Sequence, residues 1–541
     1  MGGDAFAMTV KRWTLLVPAA LIVACTLAGG LFGQAVAAGA EPGFSQNVGR
    51  VVRVYELVED NSATVPDPDQ AIYRGMIPGM LRTLDPHSTF FDPKDFQALR
   101  EEQSEHYSGV GMTVGQRGDQ TVVIAPFPGS PSYRAGIRPG DAIVVVNGKS
   151  VGGMNTSQVV DLLKGPRNTQ VTVTVQREAA NGGNERLNFT LTREDIARKT
   201  VDDAFWLRPG IAYLRILSFG DYTGREVEQN LKRLGEDRIE GLILDLRDNP
   251  GGLLNQAVNV AGHFLAKGQS VVSQRGRSSR ERVYVAEYGN QGRRYPIVVL
   301  VNHYSASAAE IVSGALQDHD RAWILGQTTF GKGLVQTIFQ LPDHTALALT
   351  TAHFYTPSGR LIQRDYAHES LYDYYFHEGQ ATPDAKDRRT TDDGRAVYGG
   401  DGIAPDEKYT PSREDRLEFA LDRIGLFNFT RAYFAAHPAK LPVGWMPDDH
   451  VIEELHDFLL AHGYQFTEAE FTRDHDWIRR YLAREMYIWA FDVDQSDRVF
   501  GMTDPEVAQA VDALPQANAL LEKGGVVVGR RAPSPAAVGR Q

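Results

Sequence analysis

Cysteine is all but missing from this sequence: Cys25 is the only one, and it lies in an apolar run near the N-terminus. The remainder of the chain can form no disulfide and offers no thiolate nucleophile. IVAC resembles a lipidation box, but the apolar stretch continues past it, so a cysteine buried in an apolar segment is the plainer reading. Positive charge is also short. Against 68 Asp and Glu stand 56 Lys and Arg, a formal net charge of −12. That argues against a nucleic-acid binder, because phosphate contacts need clustered Lys and Arg. There is no H-E-x-x-H, and the histidines are scattered, so neither a metal nor another cofactor is implied. No internal repeat is present.

An apolar run long enough to span a bilayer occurs once, in WTLLVPAALIVACTLAGGLFGQAVAAGA. Lys11 and Arg12 precede it, and a small-residue AVA lies near Val36, the pattern of an export signal. Cleaved or retained as an anchor, it predicts that the rest of the chain lies outside the cytoplasm, in a bacterial periplasm or on the outer face of the inner membrane. At 541 residues, three or four domains are expected. After residues 1–40, the texture is helical over 44–105, short strands and turns over 106–178, α/β over 195–410, and helical again over 411–523. Residues 364–400 read as a polar, irregular insertion carrying the aromatic cluster YAHESLYDYYF, and 524–541 as a disordered tail.

GQTTFGKGLVQ, residues 326–336, nearly spells a phosphate-binding loop. Gly333 stands where the magnesium-holding hydroxyl belongs, and the following LVQTIFQL alternates as a strand, whereas a phosphate loop opens a helix. Lys332 therefore needs another task. A lysine acts as a general base only when neutral, so its pKa, ~10.4 in water, must fall, and burial does that. Flanking glycines permit close backbone approach around the amine. Gln336, four residues on in an extended strand, shares a face with Lys332 and can orient it. A solvated lysine beside a strand glutamine is the plain alternative.

YPIVVLVNHYSASAAEIVSGALQD, residues 295–318, reads as strand, small-residue turn and helix. Sites in α/β sheets lie at such strand ends. If Ser307 begins the helix, the N–H groups of Ala308 and Ala309 can meet an oxyanion. Equally, Ser307 and Glu310 can be no more than an S-x-x-E capping box. His303, His319, His344 and His353 are near in sequence, without a matched spacing to mark one as base. GKSVG, 148–152, fits a nucleophile-elbow pattern but follows VVVN in an Asn-Gly turn, so it is expected to be a hairpin.

SASAAEIVSGALQD followed by RAWILGQTTFGKGLVQ closely resembles the carboxy-terminal processing, or tail-specific, proteases. So do LDPHSTFFDPKDF (84–96), LILDLRDNPGG (242–252), HFYTPSGRLIQ (353–363) and GIAPD (402–406). The resemblance covers residues 45–410 and implies a crotonase-like α/β protease core, an N-terminal helical region, a PDZ domain and a C-terminal helical extension. It places the nucleophile at Ser307, the general base at Lys332 and the orienting amide at Gln336. The oxyanion hole falls to Ala308 with Gly251 or Gly252. Residues 106–177 fit the PDZ module, and YSGVGM supplies the carboxylate loop: Ser108, Gly109, Val110, Gly111 and Met112. Successive N–H groups in a glycine turn form an anion nest, and the next strand can pair with an extended peptide. The implied partners are proteins with exposed C-termini, with an activator or adaptor as a further candidate; oligomeric state is left open. The competing readings are a PDZ scaffold on an inactive protease fold and a Ser–His hydrolase using His303 or His353.

Overall fold

The computed structural model describes residues 42–178, 183–202, 204–278, 280–368, 370–376, 385–437 and 441–528. The expected export segment and most of the expected tail lie outside these residues. Among the described residues no helix is long and apolar enough to cross a membrane. The chain divides into two units, one ending at Thr83 and one beginning at Leu84. The first contains the helix Pro42–Asn61, a π-helical stretch Gln70–Met76 and the helix Ile77–Leu81.

The second unit is built on a six-stranded sheet whose strands follow chain order: β1 Phe205–Arg208, β2 Ile211–Arg215, β3 Gly241–Asp245, β4 Ile297–Val301, β5 Trp323–Gly326 and β6 Glu407–Lys408. Apart from the antiparallel β1–β2 pair, neighbours run parallel. The apolar runs GLILD and IVVLV are explained by burial on both faces. Leu242, Leu244, Ile297 and Val299 pack under the helices α1 Thr223–Leu234, α2 Leu254–Gly262 and α3 Ala308–Asp318. Ile243, Val298 and Leu300 point the other way, against Val507, Val511 and Leu514 of the helices Pro505–Asp512 and Leu514–Val528. The last of these runs past residue 523, where the sequence reading placed the tail. The C-terminal helices therefore complete the core of the sheet.

A second, antiparallel sheet is organised on the long strand Ala346–Tyr355, which pairs with Thr89–Phe91, Leu334–Gln340 and Ser270–Arg275. The β-rich module is a separate sheet, five main strands with the helices Pro131–Ala135 and Thr156–Leu163 around a core of Val123, Ile143, Val159 and Val173. Its outer face is covered by the helical extension. Trp489 lies over Gly140 so closely that a β-carbon there would sit 2.2 Å from the indole, Phe427 packs on Val122 and Ala142, and Arg431 meets Glu178 at 2.9 Å.

The described residues of segment 364–400 hold regular structure where a loop was expected. They contain the short helix Leu371–Phe376 and the hairpin of Arg388–Thr390 with Ala396–Tyr398. The hairpin is tied down by Arg395, which bonds Asp320 and Asp406 at 2.5 Å each. GKSVG is a hairpin, with Asn147 and Gly148 both at positive φ between paired Val146 and Lys149.

Candidate active site

Strand β4 delivers the chain into the turn 302–306, and Ser307 stands at the start of α3 with φ 54° and ψ −110°. A non-glycine residue at such a φ costs on the order of 1–3 kcal/mol and persists only where its surroundings hold it. Ser305 does much of that holding. Its hydroxyl donates to the Leu246 carbonyl at 2.7 Å and accepts from Asn302 N at 2.9 Å, locking the turn after β4 to the turn after β3. Ala306 N donates to the Asn249 carbonyl at 2.9 Å. The NPGG turn then presses against the serine: a β-carbon at Gly251 would lie 2.8 Å from Ser307 Cβ and 2.9 Å from Ala308 N. One at Gly252 would lie 2.2 Å from the Phe219 carbonyl oxygen. Only glycine fits either position.

Glu310 is fully buried, one turn into α3, and its carboxylate gathers four donors. Ser307 N and Lys332 N reach Oε2 at 2.7 and 2.9 Å; Thr329 Oγ1 and Gly331 N reach Oε1 at 2.6 and 2.7 Å. Burial pushes this carboxyl above its ordinary range, while the four donors favour the ionised form. The capping box foreseen as an alternative to a catalytic Ser307 is thus present in part, since Glu310 does hold the Ser307 N–H. It does more than cap, because the same oxygen holds the backbone of Lys332 and brings the two residues together.

Lys332 lies in the loop between β5 and the strand Leu334–Gln340. Both flanking glycines are enforced by the segment 363–364. A β-carbon at Gly331, where φ is +88°, would lie 2.9 Å from Arg364 Cβ, and one at Gly333 would lie 2.8 Å from Gln363 N. Lys332 Nζ donates to Gln336 Oε1 at 3.4 Å, and Gln336 Nε2 donates to the His87 carbonyl. Burial lowers the Lys332 pKa, against the pull of the Glu310 and Asp85 carboxylates. Asp85 shapes the LDPHS turn, accepting from His87 N at 2.8 Å, Ser88 N at 2.7 Å and Ser88 Oγ at 2.6 Å. Burial opposes its ionisation, but these bonds hold its pKa below the usual value. The His87 ring is held neutral, its pKa lowered to about 4 by burial and by the charge of Lys332.

Two of the histidines considered as bases have other ring partners. His303 Nδ1 meets Gln327 Oε1 at 3.1 Å, and His319 is held between Asp392 Oδ2 and the Ser270 carbonyl. His353 lies in the strand Ala346–Tyr355, paired with Leu334. The histidine that does border the lysine, His87, was visible in the sequence only as part of a quoted motif. Glu310 was visible only as a cap. Neither role carries a local signal, because each is made by residues distant along the chain.

On the β-rich module, Ser108 and Gly109 end the strand His106–Gly109, Val110 and Gly111 form the turn with Gly111 at φ 72°, and Met112 opens the next strand. The Val110 carbonyl accepts from Ser132 Oγ and the Gly111 carbonyl from Ser130 Oγ, each at 2.7 Å. With those carbonyls turned inward, the N–H groups of Val110 and Gly111 meet no acceptor among the described residues. Beside them runs a cleft of about 90 Å³ between Met112, Val114, Val160 and Leu163, with Lys164 at its end.

The family model described as peptidase family S41 matches residues 210–369, and a PDZ-domain model matches 122–177. The first span holds Ser307, Lys332, Gln336 and the NPGG turn; the second begins after the 108–112 loop. The chain is 38% identical over 335 residues to a carboxy-terminal-processing protease of Bartonella bacilliformis, covering 61% of this chain and 76% of that one. It is 33% identical over 352 residues to the carboxy-terminal processing protease CtpA of Bacillus subtilis, covering 65% and 73%. Among solved structures, the photosystem II D1 C-terminal processing protease aligns at 29% identity and TM-score 0.35, covering 66% of this chain and 86% of that one.

Proposed function

Because this chain belongs to the carboxy-terminal-processing serine proteases of peptidase family S41, we propose that it is an exported endopeptidase with a Ser307–Lys332 dyad. In this reading the α/β core is crotonase-like, and the enzyme works in a periplasm or on the outer face of an inner membrane. The observation that carries the dyad is the buried Glu310 carboxylate, one oxygen of which accepts both the Ser307 and the Lys332 backbone N–H. A half-buried amine with a lowered pKa, aimed by Gln336, completes the base.

A substrate C-terminus docks with its carboxylate at the 108–112 turn and its terminal side chain in the apolar cleft. The chain runs extended to Ser307. Neutral Lys332 takes the hydroxyl proton as Oγ attacks the peptide carbonyl, and the tetrahedral oxyanion faces the Ala308 N–H and the NPGG glycines. The Gly251 N–H donates to Asn249 Oδ1 at 2.8 Å in the resting enzyme, so Gly252 is the readier of the two. Collapse of the intermediate breaks the C–N bond, and the Lys332 ammonium returns its proton to the leaving amine. Water, deprotonated by the again neutral lysine, then releases the acyl group from Ser307.

Lys332→Ala in the purified chain, assayed on a protein with an unstructured apolar tail, is expected to lower kcat by at least about 10³-fold. Undiminished cleavage would end the assignment. Because the active form is the neutral amine, kcat/KM is expected to rise with pH along an acid limb lying below the ordinary lysine pKa. The mass of the mature chain decides between a cleaved signal and a retained anchor.

A further inference from the structure

The helix Leu371–Phe376 carries four aromatic residues, and it turns one of them inward. Tyr372 and Phe376 are 72% and 71% exposed, whereas Tyr374 is fully buried. We propose that Tyr374 is a positioning residue of the protease. It closes a ring of hydrogen bonds around Lys332 and, with its aromatic neighbours, covers the catalytic amine. This rests on the assignment of Lys332 as base and names a part of the machinery contributed by segment 364–400.

The ring can be followed atom by atom. Gln363 Nε2 donates to the Tyr374 hydroxyl at 3.3 Å, and that hydroxyl lies 2.8 Å from His87 Nε2. An amide N–H can only donate, so the phenol oxygen accepts from Gln363; with its own proton directed at His87 Nε2, the phenol uses both its donor and its acceptor within the ring. That arrangement requires a neutral His87 and a neutral phenol. Burial supplies both, lowering the first pKa and raising the second. The His87 carbonyl then takes Gln336 Nε2, which turns Gln336 Oε1 toward Lys332 Nζ. On the other side, Gln363 Oε1 accepts the N–H of Gly333, the residue after the lysine, at 2.8 Å. One phenol therefore ties both the side-chain end and the backbone end of Lys332.

The packing points the same way. The Tyr374 ring meets Phe330 edge-on at 5.4 Å, Tyr375 at 5.2 Å and His87 at 5.6 Å. Arg364 Nη1 holds the Tyr374 carbonyl at 3.3 Å, and Arg364 N donates to the Gly331 carbonyl at 2.8 Å, so the helix is fastened to the lysine loop itself. The ionisable groups facing the amine are Glu310 from α3 and Asp85 and His87 from the LDPHS turn; Tyr374 reaches it through His87. Apolar cover over that set keeps water out and favours the uncharged amine.

The test uses the purified full chain and the pH dependence of kcat/KM on an unstructured tailed protein. Tyr374→Phe keeps the cover and loses the bridge; kcat is expected to fall about 5- to 20-fold with KM within about twofold and the acid limb in place. Tyr374→Ala also opens the cover, and is expected to lower kcat about 10²-fold and move the acid limb up by about one pH unit. Tyr372→Ala, on the exposed side of the same helix, is expected to match wild type. If both Tyr374 variants cleave at the wild-type rate with an unmoved limb, the proposal is wrong. Should the alanine variant fail to fold by circular dichroism, the phenylalanine variant decides alone: a wild-type kcat overturns the bridge. Lys332→Ala is run alongside. An active Lys332→Ala sinks the base assignment, whereas an inactive one with wild-type Tyr374 variants sinks only this inference.

Discussion

The serine side and the lysine side of this site are held by different kinds of structure. Ser307 is fixed by mostly backbone geometry where the ends of β3 and β4 meet the start of α3: the Ser305 hydroxyl, the Asn249 carbonyl and the two tight glycines. Lys332 is fixed by side chains from afar. The Gln336 amide rests on His87, 249 residues earlier in the chain, and His87 in turn meets Tyr374, 287 residues later. In the proposed dyad, the strained conformation of the serine calls for a stiff framework. The lysine, as base, calls for a dry, oriented amine, which a cover assembled from several segments provides. Glu310 is where the two solutions meet.

Substitution of Glu310 should erase the contrast altogether. Glu310→Ala removes the acceptor of four donors at once, so both sides fail together. Activity is expected to fall to the level of Ser307→Ala, with a stability loss of about 3 kcal/mol or more in denaturant titration, as buried charged hydrogen-bond networks give. A variant with near-normal kcat would show that the shared carboxylate is not what joins them.

A narrower break is Gly333→Ala, which touches the lysine side alone. The added methyl meets Gln363 N at 2.8 Å, so the Lys332 loop must move. A drop in kcat of about 10²-fold is expected, since a shift near 1 Å costs that much. Acylation of Ser307 by a small fluorophosphonate, compared at a pH high enough to deprotonate the lysine, should recover much of the loss if the serine side is intact.

The smallest effect is expected from behind the serine side. Arg247 precedes the NPGG turn, and its Nη1 bonds Asp504 at 2.9 Å and Glu506 at 2.7 Å at the start of the helix Pro505–Asp512. Burial raises the Glu506 pKa to about 7, outweighing Arg247. A carboxyl whose pKa is higher folded than unfolded binds more protons in the native state, so stability falls as pH rises from about 4.5 toward 7. Glu506→Gln should flatten the decline of Tm over that interval and change kcat less than about threefold. The slope should shrink without vanishing, because Asp202, also raised to about 7 by burial and by Asp497, acts with the same sign.

Much of the serine side was readable from the chain: a strand, a small-residue turn and an S-x-x-E helix start are contiguous. The pairing of Lys332 with Gln336 was named from strand spacing, but Lys332 precedes the strand, which begins at Leu334 and shifts register between Val335 and Gln336, so the contact forms without the expected i, i+4 geometry; Gly331 and Gly333 marked a close approach without naming Gln363 and Arg364 as what approaches. Less was readable elsewhere. The aromatic run YAHESLYDYYF looked like part of an irregular insertion, because nothing local says that one of its tyrosines turns inward to His87. The helical extension looked like an addition, since an amphipathic helix does not announce which sheet face it covers.

By itself the sequence determined the order of modules, the two-sided burial of the central strands, and the residue types able to attack and to take a proton, because these depend on composition and on spacing within a few residues. Only the tertiary structure decided which carboxylate joins serine to lysine, what covers the amine, and which helices close the sheet. Those outcomes turn on contacts between segments hundreds of residues apart, and chain periodicity carries no record of them.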